Sequence, residues 1–168
     1  LEAWGTGKLP YIAPAPRLGN LALNQAGQGF PKASASFHDV YGGTPEKAID
    51  GRVNYKPTPV NRWTSYRSPS KIDWFEVDFG TSKEVRRAEL SIYDDRGGVQ
   101  PPESYTLEYL DGQAWKEVAD LVTSPKVPAG SALNTATFRP VTCQKLRIVF
   151  THNGQSRSGL TELELRND

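Results

Sequence analysis

The residues best suited to chemistry in this chain are two neighbouring carboxylates, two histidines and one cysteine. Asp94 and Asp95 are adjacent, and adjacent residues on a strand point to opposite faces, so they form a poor acid–base couple unless the strand ends before them. The few histidines and the single cysteine argue against a histidine-rich zinc site and a cysteine–histidine dyad. No Gly-x-Ser-x-Gly, His-Glu-x-x-His or phosphate-loop motif occurs. We therefore predict that this chain alone is not an enzyme.

Short β-strands are predicted to position these groups. In residues 73–80, Phe75, Val77 and Phe79 point to one side and the intervening residues to the other. The alternation recurs in further segments, at residues 88–92, 105–109, 114–118, 136–138, 146–150 and 163–165. Asp111-Gly112 is typical of a hairpin turn between two of them. Many short strands with turns rich in Pro and Gly predict an all-β fold, an antiparallel β-sandwich or jelly roll.

Helical structure is predicted only at residues 45–49, as a single turn. Thr44 would be its N-cap, and Pro45 occupies the first helical position, which tolerates proline well. The lone cysteine, Cys143, lies in an apolar strand pattern, so we expect a small buried residue rather than a reactive thiol.

Composition and charge exclude several classes of partner. Lys and Arg total 20 and Asp and Glu total 19, a net charge of +1 with no basic block, which argues against nucleic acid. No apolar run is long enough for a transmembrane helix, so no membrane insertion is expected. Residues 1–18 are rich in Pro and Gly and predict a linker or strap. Trp4 and Tyr11 would pack against this domain or against a neighbouring one, and the pattern slightly favours the neighbour. Residues 19–168 would form one domain, and a monomer is the default expectation.

Six segments in a fixed order resemble one family. They are residues 20–23, 33–36, 47–51, 61–65, 73–80 and 159–164. Together they resemble the discoidin (coagulation factor 5/8 type C) domains, and within that group the bacterial galactose-binding-like carbohydrate-binding modules of family 32. The resemblance covers residues 19–166 and implies an eight-stranded antiparallel jelly roll. It also implies that Trp63 and Trp74 pack beneath the loops, whereas Trp115, after the hairpin turn, is expected to be half-buried on a sheet.

The resemblance implies a structural calcium ion where the loop after residues 45–49 meets the last strand. A carboxylate among exposed backbone carbonyls suits a hard cation. By motif, the ligands are the carbonyls of Lys47, Arg52 and Thr161, the carboxylates of Asp50 and Glu162, and Asn61 through its carbonyl or side chain. The alternative is that Asp50 caps a turn and Glu162 faces solvent. Residues 53–60 form a longer loop than is usual in the family, and Asn61 stands where Thr or Asp is common.

Sugar recognition needs an aromatic face for stacking and planar hydrogen-bonding groups. Loops at one end of the expected sandwich contain both, at residues 38–43, 66–72, 94–102 and 152–158. Arg96 is the leading candidate, because similar modules carry a ligand-binding arginine there, and Asp95 would orient it or accept a hydroxyl. The other candidates are Tyr41 and Tyr66 for stacking and His38, Gln100, His152 and Asn153 for hydrogen bonds. The alternative is a solvated turn with an exposed ion pair.

The resemblance therefore implies a non-catalytic carbohydrate-binding module with a poly- or oligosaccharide as its partner. Residues 93–109 look like modules appended to bacterial glycoside hydrolases, which implies a larger, secreted or cell-surface polysaccharide-degrading enzyme whose catalytic domain is a second partner. Two alternatives stay open. One is a structural module that packs on the catalytic domain without binding sugar. The other is a cell-surface or lipid adhesion discoidin domain.

Overall fold

Eight strands and one short 3-10 helix make up the computed structural model, which describes residue 12 and residues 14–168. The strands are β1 (Lys32–Ala35), β2 (Trp63–Thr64), β3 (Ile72–Ile92), β4 (Ser104–Asp111), β5 (Ala114–Glu117), β6 (Val122–Ser124), β7 (Ala132–Thr151) and β8 (Gly159–Arg166). The 3-10 helix is Pro45–Ala48. All ladders between these strands are antiparallel. The predicted all-β, eight-stranded antiparallel fold is confirmed.

Two long strands run through both layers of the sandwich. β3 and β7 pair along their whole length, with register shifts between Asp78 and Lys83 and between Val85 and Arg87. Before the first shift, β3 also pairs with β1, while the facing part of β7 pairs with β4, which pairs with β5. After it, β3 pairs with β8, which pairs with β2, and β7 pairs with β6. The shifts thus bend one continuous ladder into two layers.

The sequence patterns predicted each of these long strands as two separate shorter strands. Residues 73–80 and 88–92 both belong to β3, and residues 136–138 and 146–150 both belong to β7. The reason is that the intervening residues 81–84 and 139–140 are exposed, which interrupts the alternation although the backbone remains extended. The predicted helical turn is present, but the Thr44 hydroxyl donates to Glu46 (2.5 Å) and makes no capping bond to the backbone.

The core lies between the two layers and is built from the inward residues of each strand. Trp63 is fully buried, with its ring centroid 5.2 Å from that of Phe75 and 5.7 Å from that of Phe150. Cys143 is buried in β7, as expected, and burial raises the pKa of its thiol to about 11. Trp74 lies instead on the outer face of β3, half-buried under the guanidinium of Arg147, which also covers half-buried Trp115.

The segment before β1 lies along the last strand. The Leu21 amide donates to Leu165 (2.7 Å), Arg166 donates to the Leu18 carbonyl (2.6 Å), and Arg17 pairs with Glu89 and Glu164. Most of the predicted linker, with Trp4 and Tyr11, lies outside the described residues. Within the described part of the chain, no helix has the length and apolar character needed to cross a membrane.

Candidate functional site

A cleft of about 150 Å³ opens at one end of the sandwich, where the loops around β2 and after β3 meet. Its lining combines aromatic rings with charged and polar groups: Asp39, Tyr41, Arg62, Thr64, Tyr66, Tyr93, Asp95, Gly98 and Val99. The cleft therefore brings together three of the predicted binding residues, Tyr41, Tyr66 and Asp95, from three separate segments.

Tyr41 and Tyr66 form an aromatic wall. Their ring centroids lie 6.1 Å apart with the planes tilted by 50°. The guanidinium of Arg67 lies over both rings, 5.5 Å from Tyr41 and 5.3 Å from Tyr66. Tyr41 is 59% exposed, so its ring is available to a ligand. The wall offers apolar ring faces, the element that stacks against C–H groups.

Arg62 and Tyr93 add a second cation and ring. The Arg62 guanidinium lies 4.3 Å from the centre of the Tyr93 ring and donates to the Pro57 carbonyl (3.1 Å). Burial raises the pKa of Tyr93, so its hydroxyl remains protonated at neutral pH. The ring holds the flat guanidinium in one orientation, and a fixed guanidinium can donate two parallel hydrogen bonds.

Two aspartates hold the loops that form the cleft. Oδ1 of buried Asp39 accepts from the amides of Tyr41 (2.7 Å) and Gly43 (2.9 Å), and Oδ2 accepts from the Thr64 hydroxyl. Oδ1 of Asp95 accepts from the amides of Gly97 (2.7 Å) and Val99 (3.0 Å). These bonds fix the Tyr41 loop and the loop after β3, leaving Asp95 Oδ2 as an acceptor without a partner in the described chain.

The other predicted binding residues lie outside the cleft lining. Arg96 is exposed with φ of 60°, and its amide donates to Asp94 (2.8 Å). Gln100 donates to the Gly97 carbonyl (2.9 Å), exposed His38 is bonded to the Asp39 carbonyl (2.9 Å), and the Asn153 carbonyl accepts from Ser156 (2.6 Å). The arginine in the cleft lining is therefore Arg62, whereas the sequence predicted a ligand-binding role for Arg96.

His152 is fully buried and lies away from the surface. Its Nε2 donates to Asp73 Oδ2 (2.7 Å) and its Nδ1 is bonded to the Ser158 hydroxyl (2.9 Å). Burial by itself raises the pKa of Asp73, but hydrogen bonds from His152, Ser68 and Ser36 outweigh it and leave that pKa below its usual value. This histidine ties the loop before β8 to the start of β3.

A second group of polar side chains lies where the loop after the 3-10 helix meets β8. Glu162 is 2% exposed, and neither of its carboxylate oxygens makes a hydrogen bond of normal geometry to the described chain. Burial, then the negative charges of Asp50 and Glu164, raises the pKa of Glu162 to about 10, against the opposing influence of the Gly51 and Leu163 amides. Buried Asn61 Oδ1 also lacks a partner within the described residues. These unpartnered oxygens leave a buried acid with no compensating cation among the described residues.

The neighbours of Glu162 complete this cluster. Asp50 Oδ1 accepts from the Arg52 amide (2.9 Å), and burial raises the pKa of the carboxyl although the Arg52 amide, the Arg52 charge and Asn61 oppose the rise. The Thr161 hydroxyl donates to the Asn61 carbonyl (2.6 Å), and Lys47 directs its ammonium to the Gly42 carbonyl (2.7 Å). No group of three or more His, Cys, Asp and Glu side chains suited to a metal occurs among the described residues.

The cleft lining also contains Arg62, Tyr93 and Gly98, which were not among the predicted binding residues. The signal for Arg62 was present: it precedes Trp63, and alternation directs it away from the core that Trp63 enters. Tyr93 follows the last residue of β3 directly, so its place depends on where that strand ends. Nothing local in the sequence indicated that Gly98 would contact Tyr66, because that contact joins distant segments.

Solved structures with a similar fold come from carbohydrate-active proteins. A chain of the Streptococcus pneumoniae beta-galactosidase BgaA has a TM-score of 0.81 and 22% identity, over 89% of this chain and 98% of that one. Chitosan-binding module 1 of the chitosanase/glucanase from Paenibacillus sp. IK-5 has a TM-score of 0.64 and 25% identity, over 88% and 98%. The family 32 module of C. perfringens NanJ, solved with galactose, has a TM-score of 0.63 and 18% identity, over 80% and 91%.

The family itself follows from the sequence match. The model described as the F5/8 type C domain matches residues 32–163, from the start of β1 into β8. The match includes every strand and both polar clusters, and the neighbouring structures share the galactose-binding-like sandwich. This chain therefore belongs to the F5/8 type C, or discoidin, domain family.

Proposed function

We propose that this chain is a non-catalytic carbohydrate-binding module and that one sugar ring occupies the cleft between Tyr41, Tyr66 and Tyr93. The observation that carries the proposal is the pairing of the Tyr41–Tyr66 wall with the fixed Arg62 guanidinium and the free Asp95 Oδ2. Stacking would bind the C–H face of the ring, while Arg62 would donate to its oxygens and Asp95 would accept from a hydroxyl. The similarity to modules solved with galactose or chitotriose supports this class of ligand.

The expected affinity is low. A cleft of about 150 Å³ holds little more than one ring, and its walls are open to solvent. A shallow site buries little surface and must still offset the loss of ligand freedom, so we expect a Kd on the order of 0.1–1 mM. Several modules on one chain, or several sugars on one polymer, would raise the avidity without any change at the site.

We propose calcium for the cluster of Asp50, Asn61 and Glu162. The unpartnered, buried oxygens of Asn61 and Glu162 and the partly buried carboxylate of Asp50 are hard donors. The Lys47, Arg52 and Thr161 carbonyls of the expected set lie on the adjoining segments. A bound calcium ion would supply the positive charge that this buried carboxylate lacks. The residues themselves would join the loop after the 3-10 helix to β8, so the role would be structural.

We also propose that the module belongs to a larger, secreted or cell-surface enzyme that degrades polysaccharides. The similarity to parts of glycosidases, such as the BgaA and chitosanase/glucanase chains, supports this placement. The module would keep the catalytic domain near its polymer. Residues 14–17 lie beside Gly51, in the loop after the 3-10 helix.

A glycan array in calcium-containing buffer tests the function, followed by calorimetric titration of each positive glycan. We expect millimolar or tighter binding that falls at least tenfold in Tyr66→Ala, because stacking on one aromatic ring contributes on the order of 1 kcal/mol or more. A matched control is Tyr109→Ala, which removes a half-buried tyrosine from β4 outside the cleft. Absence of binding to every glycan would favour the structural-module alternative.

A further inference from the structure

The arginines of this chain fall into two groups. Those that form ion pairs lie on or beside the sheets: Arg17, Arg86, Arg87, Arg139, Arg147 and Arg166. Among the described residues, the arginines of the loops form no ion pair: Arg52, Arg62, Arg67, Arg96 and Arg157. The loop arginines, some of which lie at the cleft end of the sandwich, therefore have no acidic ion-pair partner among the described residues.

Three of the unpaired arginines have another explanation. Arg157 donates to the carbonyls of Ser68 (2.7 Å) and Ser156 (2.8 Å), so it ties two loops together. Arg52 lies beside Asp50, whose carboxyl its charge stabilises. Arg96 neither lines the cleft nor lies over one of the rings that line it. Arg62 and Arg67 remain, and both lie on rings that line the cleft.

Arg62 lines the cleft, and Arg67 lies over the two rings that form its aromatic wall. Arg62 lies on Tyr93, at 4.3 Å, and Arg67 lies on Tyr41 and Tyr66, at 5.5 and 5.3 Å. Stacking fixes both guanidinium planes without consuming their charge. Arg67 also has φ of 68°, a backbone conformation that is uncommon for a residue other than glycine.

The acidic groups nearby do not cancel this charge by direct pairing. Both oxygens of Asp39 are used by the amides of Tyr41 and Gly43 and by the Thr64 hydroxyl. Asp95 uses Oδ1 for the amides of Gly97 and Val99 and lies more than 4.0 Å from any arginine nitrogen of the described chain. Its Oδ2 suits a sugar hydroxyl, so the cleft offers a hydroxyl acceptor and the Arg62 guanidinium, with the Arg67 guanidinium beside its aromatic wall.

We propose that the cleft selects anionic sugars, with a carboxylate or sulfate group of the ring facing Arg62 and Arg67 and a ring hydroxyl donating to Asp95. This inference rests on the proposed sugar-binding function and narrows its ligand to acidic polysaccharides. A guanidinium matches a carboxylate or sulfate through two parallel hydrogen bonds, whereas a neutral hydroxymethyl group offers a single weaker acceptor. Neutral sugars of the same ring shape would keep the stacking and the hydrogen bond to Asp95 but would lack the charge-assisted pair with the guanidinium groups.

The test compares sugars that differ only at C6. Galactose, glucose and mannose are titrated against their uronic acids, and galactose against its 6-sulfate, to separate carboxylate from sulfate recognition. We expect at least one anionic sugar to bind about tenfold or more tightly than its neutral partner, because hydrogen bonds to charged groups are the stronger ones. This preference should shrink as salt is raised from 50 to 500 mM.

Variants assign the preference to the two arginines. Arg62→Gln and Arg67→Gln should each reduce the ratio of anionic to neutral affinity toward one, because each variant loses more affinity for the anionic sugar than for its neutral partner. Arg139→Gln is the control, because Arg139 is paired with Asp120 away from the cleft. If either cleft variant unfolds, the other variant and the salt dependence still test whether the arginines cause the preference for anionic sugars.

The outcomes separate this inference from the proposed function. Equal affinity for the neutral and anionic members of every pair that binds overturns the anionic preference and leaves sugar binding intact. A preference that persists in both cleft variants also overturns it, since the selecting charge would lie elsewhere. Failure of every sugar, neutral or anionic, to bind overturns both.

Discussion

The ring of Tyr66 lies directly against the backbone of Gly98. A Cβ at residue 98 would lie 2.3 Å from Cε2 and 2.9 Å from Cδ2 of that ring, closer than any side chain tolerates. The two residues are distant in sequence, and their contact joins the loop after β2 to the loop after β3. Glycine at residue 98 therefore determines where the main aromatic wall of the cleft stands.

Gly98→Ala should weaken sugar binding while leaving the fold intact. The added methyl group would displace the Tyr66 ring, so we expect affinity to fall at least about tenfold with little loss of thermal stability. Calorimetric titration and a thermal melt measure the two effects. Gly97→Ala is the control, because the nearest atoms to its Cβ all belong to Asp95, with Oδ1 at 3.3 Å, and none belongs to an aromatic ring. Equal affinity in wild type and Gly98→Ala would show that the Tyr66 ring does not contact the ligand.

Calcium should stabilise the protein against heat. Saturating calcium should raise Tm relative to the chelated protein, since a ligand that binds only the folded state stabilises it by mass action. Asp50→Asn should lose most of this increase. Asp120→Asn is the control, because Asp120 pairs with Arg139 at an exposed site far from the cluster. An identical Tm with calcium and with chelator would contradict the calcium assignment.

The chelated protein should lose stability as pH rises, and Glu162 should be the main cause. Burial raises its folded pKa to about 10 from the usual 4.5, so the folded chain keeps a proton that the unfolded chain releases. This contribution to stability is complete below the unfolded pKa and is lost as pH rises toward the folded one. Urea unfolding in chelator between about pH 5 and pH 9 should show a steep decline for wild type and a shallower one for Glu162→Gln. Parallel declines would show that Glu162 is not buried as an uncompensated acid.

Asp73→Asn should destabilise the loop end at neutral pH but not in acid. The charged Asp73 accepts from His152, Ser68 and Ser36, and its folded pKa lies below 3.8. Its contribution is therefore present above the unfolded pKa and is lost as pH falls through the lower folded value. We expect a cost of about 1–3 kcal/mol at pH 7 that shrinks below about pH 4. A constant cost at both pH values would mean that packing, not charge, explains the defect.

The fold class could be predicted from the sequence because apolar and polar residues alternate along the longer strands wherever one face is buried. Within the two long strands, the alternation of apolar and polar residues is interrupted where β3 and β7 cross between layers, because both faces there are exposed. The short strands β1, β2 and β6 were not predicted, because two to four residues carry too little pattern. Strand pairing, rather than local sequence, creates them.

The cleft was only partly predictable for a related reason. Tyr41, Tyr66 and Asp95 could be chosen by residue type and loop, but the choice between Arg62 and Arg96 depends on how the chain turns after β3. Asp94 accepts from the Arg96 amide, and Arg96 has a positive φ, which leaves its side chain outside the cleft lining. Arg62 reaches the cleft because its neighbour Trp63 is fixed in the core.

The most direct test of the sugar-binding cleft is calorimetric titration of one array-positive glycan into wild type, Tyr66→Ala and Arg96→Ala, all with calcium. The cleft geometry predicts that Tyr66→Ala loses at least tenfold in affinity while Arg96→Ala stays within about threefold of wild type. Retained binding in Tyr66→Ala together with loss in Arg96→Ala would contradict it and place the sugar on the surface of the loop after β3.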